Sequence, residues 1–373
     1  MSGATIALAP DAPFRRLVGV GGIGTGMFLA VDGDRTIGRT ESRAGRLLDV
    51  RDYCKLHTVT HHVAVLLGAR PSGDPFHVAP VGVVGGDDAG ERMRSEMRAV
   101  GMDVAGVRTV RDRPTLFSVC FQYPNGDGGN VTTSDSAAAA LSADDVDGAA
   151  DLLGPSTIAL AQPEVPLEAR MRLLELGGDR GALRVASFLS GELEEARASG
   201  AFGLVDLVAL NRHEAETIAG GDLDTDDPGR LLEACASAVG ASGRRVRVVV
   251  TAGEAGAYAT EGGRWAHRPA PTVDVVSTAG CGDALLAGVL AGTAAGLPLI
   301  GGGNAFDDAL SLGVLLASLN AASPHTIHPH ADAEAVRELA AASGIEVGGA
   351  LARALGAAPR STSSIQRNGS VVR

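Results

Sequence analysis

Along the 373 residues, hydrophobic and polar positions switch repeatedly between two periods, and the order of the switches predicts strands alternating with helices. Arg16 to Gly22 is a short apolar run ending in glycines, the pattern of a buried strand. From Phe28 to Tyr53 apolar and polar residues alternate between turn residues, which predicts two or three exposed strands. Residues 54–68, CKLHTVTHHVAVLLG, carry an apolar face at helical spacing. FHVAPVGVVGGDDAG, ERMRSEMRAVG and MDVAGVRTV then read strand, helix, strand, which is a βαβ unit. Thr115 to Tyr123 alternates as a strand, 125–129 reads as a turn and 130–136 runs back.

The second half repeats the scheme. A short helix starts after Ser142, with Asp145 three residues on, and TIALA at 157–161, LRVASF, LVDLVALN and RVRVVVTAG each read as a strand feeding a helix or loop. Val275 to Gly296 is a turn rich in small residues followed by a helix with no breaker before Pro298. Gly288, Gly292 and Gly296 recur on one face of that helix and predict close packing against FDDALSLGVLLASLNAAS, which returns antiparallel. Glycine costs about 1 kcal/mol relative to alanine in a helix interior, so three of them need a packing reason. Residues 1–14 read as a loose leader, and 344–373 as a marginal helix and disordered tail.

Composition narrows the function. With 45% hydrophobic and 20% charged residues the chain can bury a large α/β core. A net charge of −12 disfavours nonspecific binding to nucleic acid or to anionic membrane, leaving small-molecule chemistry. Cysteines 54, 120, 235 and 281 have neither disulfide nor zinc spacing, and no signal or spanning segment is evident, so the expected location is the cytoplasm. Lys55 is the only lysine.

The turn at 280–283, Gly-Cys-Gly-Asp, carries the chemistry. Small residues there admit a ligand to the backbone, and the first amides of a helix make an anion site. Asp283 has two readings: a helix-capping carboxylate, or the proton acceptor for a hydroxyl that attacks a bound phosphate. Cys281, at a helix start, is expected to have a lowered thiol pKa. Glu164, Asn211, Thr251 and Asp283 each fall just beyond a predicted strand's C-terminal end. Right-handed βαβ connections gather such ends at one edge, where open sheets bind ligands, and this convergence favours the proton acceptor. Gly19, Gly21 and Gly24 satisfy G-x-G-x-x-G, but a strand and turn follow where a dinucleotide site needs a helix.

STAGCGDALLAG resembles the second signature of the ribokinase-like (PfkB) carbohydrate kinases, D-T-x-G-A-G-D, with Thr278, Gly280, Gly282 and Asp283 matching. Gly85 to Gly90 resembles the family's G-x-D-x-x-G, Asn211 and Glu214 its N-x-x-E, and Thr251, Gly253 and Gly256 its T-x-G-x-x-G nucleotide loop. The resemblance implies a three-layer α/β/α sandwich with a mainly parallel sheet over 15–340. It also implies a small β-sheet lid from segments 27–54 and 113–136, through which two copies often pair. In the same terms Asp283 is the general base and Gly280, Cys281 and Gly282 form the anion hole. Asn211 and Glu214 help place Mg2+ through water, while Thr251, Gly253, Gly256 and Thr278 hold ATP. Glu164 contacts the acceptor; on its own it reads equally as a surface residue at a helix start. Asn304 and the apolar face near Val314 border adenine.

Three departures change the picture. Ser277 replaces the leading Asp that helps build a monovalent-cation site in some members. The sugar-binding G-G-K-G-x-N is replaced by Cys54 to Val59, and the acidic residue usual after the first strand is missing, with Gly24 and Gly26 in its neighbourhood. Lys55 and His57 become candidate acceptor contacts, against a plain reading as solvated residues at a helix start. No G-x-x-x-x-G-K-[ST] occurs, which excludes a P-loop kinase at motif level. The expectation is ATP-dependent phosphorylation of an alcohol on a sugar-like molecule. A nucleoside kinase of the same fold and a retired kinase acting as a ligand-binding regulator are the alternatives.

Overall fold

A computed structural model describes residues 3–124, 128–220, 227–240, 246–303 and 305–356. The strands β1 (Arg16–Val20), β2 (Gly24–Val31) and β3 (Gly45–Tyr53) lead into α1 (Lys55–Leu67). Then come β4 (His77–Gly85), α2 (Asp88–Ala99), β5 (Val107–Val110), β6 (Leu116–Gln122), β7 (Gly128–Thr132) and α3 (Ala143–Asp147). The middle of the chain supplies β8 (Thr157–Ala161), α4 (Leu167–Asp179), β9 (Leu183–Ser187), α5 (Leu193–Ala198), β10 (Leu207–Asn211), α6 (Arg212–Ala219), α7 (Pro228–Val239) and β11 (Arg247–Thr251). The hairpin β12 (Ala257–Glu261) and β13 (Arg264–Arg268) precedes α8 (Cys281–Ala294), α9 (Ala309–Ala321), α10 (Ala333–Ala342) and α11 (Gly349–Ala354).

Nine strands form one sheet in the order β13-β12-β11-β10-β9-β8-β1-β4-β5, parallel except for the β12–β13 hairpin at one edge. Successive side chains of a strand point to opposite faces, so an apolar run serves two cores. Leu17 enters the core under α1, α2, α8 and α9, whereas Val18 and Val20 enter the core under α3 to α7. The three-layer α/β/α architecture expected from the sequence is the one observed. Gly288 permits the close helix contact that its spacing predicted: a Cβ there would stand 2.7 Å from the Gly313 Cα. Gly296, by contrast, lies beyond the end of α8, with a φ of 87°.

The N-terminal stretch is not a loose leader. The Ile6 amide donates to the Leu66 carbonyl at 2.7 Å and the Ala7 amide to that of Ala354 at 3.0 Å. Ile6 and Leu8 enter the core beside α1 and α11, and burying these alternating apolar side chains favours order over a free tail. Leu351 of α11 is fully buried. Of the expected tail, residues 357–373 lie outside the described residues. Among the described residues no helix is long and apolar enough to cross a membrane.

Four strands, in the order β3-β2-β6-β7, make the smaller sheet. Its register sorts the side chains by face. Met27, Val119 and Val131 share one face with Leu29, Leu47 and Phe121. Asp52, Ser118 and Thr132, with Cys120 and Asn130 beside them, share the other.

Candidate active site

Because β8, β10 and β11 run parallel, their C-terminal ends lie at one edge of the sheet. The smaller sheet joins the body there, since β3 runs through Cys54 directly into α1. Asp283 is the third residue of α8, and Gly280 caps that helix in the left-handed region at φ 75°. A Cβ on Gly280 would stand 2.3 Å from the Thr326 carbonyl, so the turn requires glycine. The Asp283 carboxylate, 15% exposed, faces Lys55, with Nζ 3.7 Å from Oδ2. Burial raises the Asp283 pKa and the Lys55 ammonium pulls it back; Asp283 in turn raises that of Lys55. Above Gly282 a Cβ would meet nothing within 4 Å, which leaves room for an anion. The Cys281 amide already donates to the Thr278 carbonyl at 3.2 Å, so Cys281 adds no free amide to that hole.

Glu164 follows β8 and is the one non-glycine residue with positive φ, 73°, among the described residues. Such conformations cost of order 1–3 kcal/mol and persist where the surroundings fix them. Here Oε2 accepts from the Lys55 amide at 3.1 Å, and the side chain packs where a Cβ on Gly22 would lie 2.6 Å from it. Burial pushes Glu164 up to about 7 against the pull of Lys55, with the charges of Asp283 and Asp52 adding.

Asp52 was not singled out from sequence. It is 7% exposed, accepts a long bond from the Cys120 thiol at 3.7 Å, and lies over Gly26, where a Cβ would fall 2.2 Å from its Oδ2. Burial first, and then the Asp283 charge, raises it to about 6. Its signal, a carboxylate opposite a strand glycine, appears only once strand register pairs Asp52 with Gly26. Thr326 ties this strand to the anion turn: its amide donates to the Arg51 carbonyl at 3.2 Å and its hydroxyl accepts from the Tyr53 amide at 3.0 Å.

Asn211 and Glu214 form a reciprocal cap on α6, with the Glu214 amide donating to Asn211 Oδ1 and the Asn211 amide to Glu214 Oε2, both at 2.8 Å. The turn chemistry is therefore real, and Glu214 also senses the charges of Lys55 and Asp283. Among the described residues no three His, Cys, Asp or Glu side chains converge as metal ligands. One Glu214 oxygen is taken by the cap, which suits a contact through water better than direct ligation.

Thr251, Gly253, Gly256, Thr278, Cys281 and Gly282 all line one cavity of about 630 Å³, together with Leu285, Val314 and Ala317. This volume and its mostly apolar lining suit a nucleotide-sized ligand. Asn304 lies outside the described residues. Cys281 does not have the lowered thiol pKa expected of a helix start. Burial pushes it up to about 11, and the neighbouring Asp283 charge adds to this. Ser277 spends its hydroxyl on the Ala279 amide at 3.2 Å.

His57 departs from its expected role as an acceptor contact. It is wholly buried, 4.7 Å from the Tyr53 ring, and burial holds it neutral. Residues two apart on a helix point to different sides, so α1 cannot turn both Lys55 and His57 to the crevice.

An α/β sandwich with a smaller second sheet, a nucleotide-sized cavity and a glycine-capped turn defines the class: an α/β protein with a small-molecule substrate. The chain belongs to the pfkB family of carbohydrate kinases, whose pattern matches residues 61–333. A fructokinase of Klebsiella pneumoniae is 37% identical over 99 residues, which span 26% of this chain and only 30% of that protein. Three solved structures share the fold. A ribokinase of Cryptococcus neoformans var. grubii serotype A in complex with ADP is 18% identical, with TM-score 0.64 and coverage of 87% and 99% of the two chains. A nucleoside kinase of Burkholderia thailandensis in complex with inosine is 18% identical, with TM-score 0.65 and coverage of 89% and 100%. A ribokinase-type protein of E. coli in complex with ATP and Mg2+ is 16% identical, with TM-score 0.67 and coverage of 88% and 99%.

Proposed function

We propose that this protein transfers the γ-phosphoryl group of ATP to an alcohol of a sugar or nucleoside. The observation that carries the reading is the position of Asp283, between the cavity lined by Thr278 and Gly282 and the crevice occupied by Lys55 and Glu164. Asp283 takes the proton of the attacking hydroxyl, and its raised pKa makes it a better base than an exposed carboxylate. The open turn at Gly282 receives the transferred group, stabilised by the start of α8. Thr251, Gly253, Gly256 and Thr278 hold the nucleotide, and Glu164 accepts from an acceptor hydroxyl. Glu214, its side chain fixed by the Asn211 amide, would hold a nucleotide-bound Mg2+ through water, and the ion would offset the phosphate charge. The ligands of the structural relatives, ADP in one and inosine in another, support both halves of this assignment. Ser277 is uncharged and engaged in its own turn, which supports turnover without a monovalent cation. The apolar outer face of the lid, where Leu47 is 65% and Val131 70% exposed, supports pairing with a second copy.

The test is turnover of MgATP with a panel of sugars and nucleosides by the wild type and by Asp283→Ala. The variant is expected to lose about 10² to 10⁴ in rate, the usual contribution of a general base, while still binding ATP. Turnover near that of the wild type would remove Asp283 from the chemistry. Binding by the wild type without any phosphorylation would leave the regulator.

A further inference from the structure

The two faces of the lid differ in chemistry. One row across the sheet reads Asp52, Gly26, Ser118, Thr132, and the next reads Leu48, Phe28, Cys120, Asn130, so the polar groups of this face gather in the first row and at the β6–β7 side of the second. Ser118 and Thr132 share a hydrogen bond of 2.8 Å, and Asn130 donates to Thr132 Oγ1 at 3.1 Å. The opposite face carries Met27, Leu29, Leu47, Val119, Phe121 and Val131. A sheet that only covered a core would bury its apolar side, yet here Asp52 and Ser118 are buried while Leu47 and Val131 are exposed. The polar face is the one turned to the crevice: Asp52 and Ser118 are buried there, Cys120 reaches Asp52, and β3 runs on at once to Lys55, whose amide meets Glu164 and whose ammonium meets Asp283.

We infer that Asp52 is the lid's acceptor-reading residue, and that the acceptor is an uncharged polyhydroxylated molecule rather than a phosphate ester. This rests on the kinase reading above and adds the chemistry of its second substrate. Gly26 provides the space: with no side chain on β2, the carboxylate of β3 occupies the position that a β2 side chain would otherwise fill. In their ionised forms Asp52 and Glu164 only accept hydrogen bonds, so they select hydroxyl donors, and bonds to a charged oxygen are the stronger kind. The titratable groups turned toward this space are Asp52 from β3, Glu164 after β8, Asp283 from α8, Glu214 from α6, the thiols of Cys54 and Cys120, and Lys55 from α1. Among the described residues Lys55 is the one ammonium here against four carboxylates, and Arg170, which also feels Glu164, is paired with Glu192, so this balance disfavours a second phosphate by like-charge repulsion.

Calorimetric binding of D-fructose, D-ribose and inosine, and of their monophosphate esters, to the full chain without ATP tests this, alongside acceptor kinetics with MgATP. At least one parent compound should bind, each ester should bind at least tenfold more weakly than its parent, and Asp52→Ala should raise the acceptor Kd and KM about tenfold or more. The KM for ATP should not change. Gly26→Ala, which pushes the carboxylate out from the opposite strand, should reproduce the acceptor effect with Asp52 intact. Tighter binding of an ester, an unchanged Kd in folded Asp52→Ala, or no binding by any parent compound overturns the inference. Asp52-dependent binding without phosphoryl transfer would instead uphold it and sink the kinase reading.

Discussion

Lys55 shows what a single residue contributes that a motif does not. As the only lysine, 3.7 Å from Asp283, it opposes the burial that raises the pKa of the base. Removing it leaves burial unopposed, so the Asp283 pKa rises further and the acid limb of the kcat/KM profile moves to higher pH. Lys55→Met should show that displacement and a lower rate at pH 7, and Lys55→Arg should restore much of both. A direct readout exists as well, because reductive ¹³C-methylation labels Lys55 and the terminal amine alone. The Lys55 signal should titrate with Asp283 and lose that titration in Asp283→Asn; an unresponsive signal would show that the pair does not form. Asp283 itself was legible because glycine spacing fixes a helix start within six residues. Asp52 was not, since its partner Gly26 is far away in sequence and only strand register brings them together. The Cys281 thiol was misread because a helix start acts over one turn, whereas burial and Asp283 act on the same atom and prevail.

At the scale of elements, α1 carries more than its pattern suggests. An apolar face was legible, but His57, Thr58, Thr60 and His62 are buried too, so this helix is enclosed almost all round. The threonines manage this by returning their hydroxyls to backbone carbonyls, Thr60 to Leu56 at 2.7 Å and Thr58 to Cys54 at 3.2 Å. The ring nitrogens of His57 find no hydrogen-bond partner among the described residues. Burial lowers His62 from 6.5 to about 3, so below pH 6.5 the unfolded chain takes a proton that the folded site refuses. Its contribution is complete above pH 6.5 and is lost as pH falls toward 3. Glu164 and Asp52, raised to about 7 and about 6, act in the opposite sense, with stability lost as pH rises through those values. Comparing His62→Leu with the wild type isolates the histidine. In urea titrations between pH 6.5 and 4 the variant should gain on the wild type by about 1.4 kcal/mol per pH unit, and a constant difference would mean that His62 is not held neutral. The cap of Asn211 and Glu214 was legible as either turn or site, since the same bonds serve both.

For the whole molecule, the succession of strands and helices was legible in the apolar runs and the exposed strands in residues that alternate; the layering and the lid came with the family resemblance, and the strand order, which depends on contacts between distant segments, was not legible. The β12–β13 hairpin was missed because its glycine-rich approach, Gly253 to Gly256, reads as a ligand loop and absorbs the following strand. The leader was missed because a few alternating apolar residues are too short a signal until α1 and α11 are beside them. The outer face of the lid makes a prediction at this scale. If it pairs two copies, Leu47→Glu with Val131→Glu should give a monomer in sedimentation with unchanged circular dichroism. A wild type that is already monomeric at micromolar concentration would reject the pairing.

Thr326 gives the molecule one more property. Its peptide grips Arg51 of β3 by the amide while its carbonyl closes off the side of Gly280. The strand that brings Asp52 and the turn that starts α8 therefore share one neighbour. A side chain at position 280 would strike the peptide that holds β3, so the glycine keeps the edge of the small sheet as well as the turn itself in place.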